Sequence, residues 1–75
     1  MAYAELDERT REIAERVLTR KQLDVFKLWM SGLSPSGIAL TVGISEPVAR
    51  RTLTRAQQLI AIELERTELD EPSAA

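Results

Sequence analysis

Apolar positions recur three and four residues apart along the chain. Nowhere do Val, Ile and Thr alternate with polar residues over the length of a strand. This pattern predicts an all-α fold. Leu6, Ile13, Ala14 and Val17 form one stripe on a first helix running roughly from Ala4 to Val17, and the other positions are nearly all charged. Such a helix lies on a small core.

The next three helix starts share one local chemistry. Thr19 can cap a helix while Gln22 reaches back to it, with Leu18 and Leu23 at the positions of a hydrophobic staple. Ser34 caps the next helix, Pro35 occupies its first position, and Leu33 staples to Ile38. Ser45 caps the last, Glu46 favours its positive dipole end, and Ile44 staples to Ala49. Gly32 and Gly43 follow the preceding helices, where a left-handed residue ends a helix at little cost. The spans are therefore about 20–31, 35–42 and 46 to about Thr67. Together they make one domain over 1–69 with long N-terminal and C-terminal helices, and 70–75 reads as a disordered tail.

Composition narrows the function. The 75 residues contain no Cys and no His, so there is no thiolate, no Cys-type zinc site and no imidazole base. No catalytic residues, metal or cofactor are expected, and the chain does not read as an enzyme. Glu63 with Glu65 and Asp70 with Glu71 lack any accompanying base and serve as solubilising charge. No apolar run approaches the roughly 20 residues of a membrane span, and the N-terminus lacks an apolar signal core. The expectation is a cytoplasmic protein without a membrane partner.

The net charge of −2 argues against nucleic acid until it is divided along the chain. Residues 1–17 carry −2. Residues 18–61 carry +4, from Arg20, Lys21, Lys27, Arg50, Arg51 and Arg55 against Asp24 and Glu46, and residues 62–75 carry −4. A basic middle sits between acidic ends.

That basic middle contains a short helix, a tight turn at Gly43 and a longer helix with arginines near its start, which is a helix-turn-helix arrangement. Ile38, Ala39 and Val42 are expected to face inward, Ile44 to plug the turn, and Ala49, Leu53 and Ala56 to line the buried side of the fourth helix. Glu46, Pro47, Val48, Arg50, Arg51, Thr54 and Arg55 are left on the other faces. The segments Leu18–Phe26, Gly32–Ser34, Ile38–Ala39, Gly43–Ser45 and Leu53–Ala56 resemble region four of bacterial sigma factors. Residues 18–60 also align without gaps to the DNA-binding domain of LuxR-type regulators, and Leu53-Thr54-Arg55-Ala56 leans toward the sigma form.

The resemblance implies a bacterial or phage protein that binds double-stranded DNA and regulates transcription as repressor or activator, its fourth helix in the major groove. Matched position by position, Glu46, Pro47, Val48, Arg50, Arg51 and Thr54 are candidates for base or groove contact. Ser45, Thr52 and Arg55 are candidates for phosphate. Arg20, Lys21, Ser34 and Ser36 could add backbone contacts. The chain departs from the family at Gly37, which weakens the third helix, at Pro47, which removes a backbone donor, and at Ala49, where a β-branched residue is usual.

An alternative reading has the same fold docking on RNA polymerase or another regulator through its acidic helices with Leu23 and Trp29. The apolar surface of Leu59, Ile60, Ile62 and Leu64 can pack on the first helix of its own chain or on a second chain; small size and the two-fold habit of repressors favour a homodimer through these terminal helices. Phe26 and Trp29 are expected in the core, with Tyr3 distant from both.

Overall fold

A computed structural model describes residues 3–70, with side chains as far as Thr67. The fold is all-α, with no strand among the described residues. A 3₁₀ turn at Tyr3–Glu5 leads into α1 (Glu8–Val17), α2 (Arg20–Met30), α3 (Pro35–Val42) and α4 (Glu46–Asp70). The tail expected over 70–75 lies outside the described residues, apart from Asp70, which closes α4.

Helices α2 to α4 begin where their caps dictate. The Thr19 hydroxyl accepts from the Gln22 N–H at 3.2 Å, and the Gln22 side chain accepts from the Thr19 N–H at 2.9 Å, completing a capping box. Ser34 accepts from the Gly37 N–H at 3.2 Å and Ser45 from the Val48 N–H at 3.3 Å. Gly43 ends α3 with φ 80° and ψ 36°, and the N–H groups of Gly43 and Ile44 both donate to the Ala39 carbonyl, at 2.9 and 3.0 Å. Gly32, which follows the α2 C-cap Ser31, also has a positive φ, 106°.

The N-terminal helix is shorter than its stripe suggests. The expected helix from Ala4 is broken: Leu6 N–H donates to the Tyr3 carbonyl at 3.1 Å, Asp7 is extended at φ −65° and ψ 156°, and α1 begins only at Glu8 with 10 residues. Asp7 makes no side-chain cap bond, and aspartate is a poor residue for a helix interior. The break lets Tyr3 fold back. Its ring meets Phe26 edge to face at 6.1 Å, and Phe26 lies 6.1 Å from Trp29. Tyr3 is therefore a close neighbour of Phe26, not a distant residue. Its hydroxyl donates to Glu15 Oε2 at 3.1 Å and to the Arg11 carbonyl at 3.3 Å. Burial, followed by the bond to and charge of Glu15, pushes the Tyr3 phenol above its usual pKa. Phe26 is buried as expected, whereas Trp29 keeps 38 % of its surface exposed.

All four helices supply one core: Ile13, Ala14 and Leu18; Val25 and Phe26; Ile38 and Ala39; Ala49, Leu53, Ala56 and Ile60. Val42 and Ile44 are half-buried against it. Helix α4 touches each of the other three. Its buried positions advance by four, three and four residues, which keeps them on one face of a 3.6-residue spiral. Ala49 and Ala56 are fully enclosed, so α3 and α2 approach the α4 backbone closely. The C-terminal half of α4 packs on α1 of the same chain, and Arg16 Nη2 donates to Glu63 Oε2 at 2.7 Å across that contact. Of the apolar residues there, Ile60 is buried, Leu59 and Leu64 are half-buried, and Ile62 stays 51 % exposed. The terminal helices thus pair within the chain.

Candidate nucleic-acid interface

Two caps and one turn place the basic residues. The turn at Gly43 points α4 away from α3, and the Ser45 cap fixes its first turn with Glu46 and Pro47 exposed. The capping box of α2 sets Arg20 and Lys21 in that helix's first turn, both exposed. Because α2 packs on α4, the two basic segments converge. Thr19, Lys21 and Gln22 form one wall, and Val48, Arg51, Thr52 and Arg55 the other, of an open groove of about 360 Å³.

Charge in this groove is uncompensated. Among the described residues, Arg20, Lys21, Arg51 and Arg55 make no ion pair. Arg50, on the adjoining side of α4, lies 3.8 Å from Glu46 one turn earlier. The remaining described carboxylates of α1 and of the far end of α4, such as Glu8, Glu12 and Glu65, stand away from the groove lining. An acceptor-rich, anionic surface would find three cations, two hydroxyls and an amide side chain directed into one depression.

The sequence-derived candidates divide accordingly. Val48, Arg51, Thr52, Arg55 and Lys21 line the groove, Val48 and Thr52 half-buried and the others exposed. Ser45, Glu46, Pro47, Arg50 and Thr54 are exposed on the adjoining surface of α4, and Arg20 is exposed beside Lys21. Ser34 and Ser36 are exposed at the start of α3 and do not line the groove. Ser34 and Ser45 accept the capping N–H groups, which leaves each hydroxyl proton free to donate. Thr19 and Gln22 were not among the site candidates. Their membership was legible in the capping box itself, which ties both to the turn that carries Arg20 and Lys21.

No helix of the described residues is long and apolar enough to cross a membrane. No protein-family model matches the chain, and neither a curated protein nor a solved structure matches it.

Proposed function

We propose that the chain is a sequence-specific double-stranded DNA-binding transcriptional regulator that inserts the N-terminal turns of α4 into the major groove. One observation carries the reading: Lys21 from α2 and Arg51 and Arg55 from α4 share one open groove, without ion pairs, beside the exposed first turn of α4. A helix with its side chains is about 10–12 Å across, and the major groove is about 12 Å wide. In this arrangement the first turns of α4 meet base edges, while Lys21, Arg55 and Thr52 meet the phosphates that flank them. The acidic far end of α4 and the outer face of α1 are repelled by the same phosphates, which orients approach.

A homodimer is part of the proposal, each copy reading one half-site about one turn of DNA from the other. Among the described residues, Ile62 is the large apolar side chain in the C-terminal half of α4 that α1 leaves open for a second copy.

Selection of bound duplexes from a random pool tests both statements. The expected result is an enriched palindrome, and a double variant Arg50→Ala, Arg51→Ala that binds it at least tenfold more weakly. A pool with no enriched sequence, or a double variant that binds as tightly as the parent, overturns the reading.

A further inference from the structure

The geometry points to Glu46 and Arg50 acting together as a reader of a single G·C base pair, an inference that rests on the DNA-binding reading above. The two side chains stand one turn apart on the exposed start of α4, carboxylate and guanidinium 3.8 Å from each other, and both remain accessible, at 45 % and 63 % of side-chain surface. In the free molecule the pair looks like routine helix stabilisation at a spacing of four residues. Its position in the first turns of α4, which the DNA-binding reading puts in the major groove, gives it another consequence.

In the major groove a G·C pair presents guanine N7 and O6, two acceptors side by side, followed directly by the cytosine N4 amino donor. A guanidinium fork beside a carboxylate is the complement of that order: two donors, then an acceptor. Arg50 would donate to N7 and O6, and Glu46 would accept from N4–H across the same pair. An A·T pair sets its donor between two acceptors, so the fork loses one bond. The reversed pair C·G brings the carboxylate against guanine's acceptors. Glu46 therefore selects chiefly by repulsion, because an anion facing N7, O6 or thymine O4 finds no proton to accept. Arg50 supplies the attraction, from one turn further along the same helix.

Glu46 also accounts for why the edge of α4 is not simply basic. A carboxylate close to a phosphate backbone weakens binding to every sequence unless an amino group of a base compensates it. Binding strength is thus exchanged for discrimination at one position.

The test uses the full chain and the best duplex from the selection, with each base pair replaced in turn by the other three. The parent is expected to show one G·C position at which replacement weakens binding about tenfold. Arg50→Ala removes both donors, so guanine preference at that position should collapse. Glu46→Gln presents both a donor and an acceptor, so discrimination at the same base pair should flatten while other positions keep theirs. Each variant is read independently, with its helical circular dichroism matched to the parent. A Glu46→Gln profile identical to the parent's, or effects of the two variants on different base pairs, overturns the paired reader and leaves the DNA-binding reading standing. A parent that selects no duplex removes both.

Discussion

Gly37 and Gly43 sit in and after the same short helix and should respond oppositely to a methyl group. At Gly43 the backbone is left-handed, φ 80°, so an alanine is strained although the space around it is empty. At Gly37 a Cβ would meet Leu33 Cγ at 3.6 Å and Ser34 Oγ at 3.7 Å, both ordinary contacts, in a helix where glycine is a poor former. Gly37→Ala should therefore raise unfolding stability by about 0.5–1 kcal/mol. Gly43→Ala should lower it by about 1–2 kcal/mol. Urea denaturation of the two variants decides this, and a shift of the same sign in both would sink it. At this scale the sequence is most readable. Thr19, Ser34 and Ser45 cap helices because a hydroxyl and a backbone N–H three residues on are brought together by local geometry alone. Tyr3 was opaque for the opposite reason: its partners Glu15 and Phe26 are distant in the chain, and only the break at Asp7 brings it to them.

Among the elements, α4 has the strictest demands. It meets the other three helices through Ala49, Leu53, Ala56 and Ile60, and its two alanines are completely enclosed. Ala56→Leu would force a larger side chain between packed backbones. It should cost about 1–3 kcal/mol, measured as a lowered midpoint of thermal or urea unfolding. An unchanged midpoint would mean that the crossing is looser than described. The buried face of α4 and the turn before it follow from spacing and from Gly43. What covers its C-terminal half does not, since an apolar stripe states that a surface is covered without naming the cover. Leu59, Ile60 and Leu64 suit α1 or a second chain equally well in sequence; the Arg16–Glu63 contact and the burial of Ile13 and Ala14 belong to the folded chain alone. The start of α1 is not legible in the spacing, because Leu6 continues the helical pattern while Asp7 favours an end.

At the scale of the molecule, charge is sorted by place and not only by sequence block. A groove with Lys21, Arg51 and Arg55 lies at one region, and the exposed carboxylates Glu8, Glu12 and Glu15 of α1 with the far half of α4 at another. The +4 segment was visible from the sequence, but the convergence of α2 and α4 on one groove was not, because it depends on how the two helices cross. If Lys21 and Arg55 meet phosphate, removing either should reduce the slope of log affinity against log salt by about 0.9. Arg16, engaged with Glu63, serves as the control: Arg16→Ala should leave that slope unaltered. Dissociation constants measured over a salt series give the answer, and equal slopes for all three variants would exclude a phosphate role for the groove.

The contact between α1 and the far half of α4 joins Arg16 to Glu63, 47 positions apart in the chain. Synthesis runs from the N-terminus, so α1 is made before the surface that covers Ile13 and Ala14. A segment that stops short of the far half of α4 leaves that side of α1 uncovered. Until that contact closes, the stripe has only the charges around it, Glu8, Glu12, Glu15 and Arg16, to keep it in water.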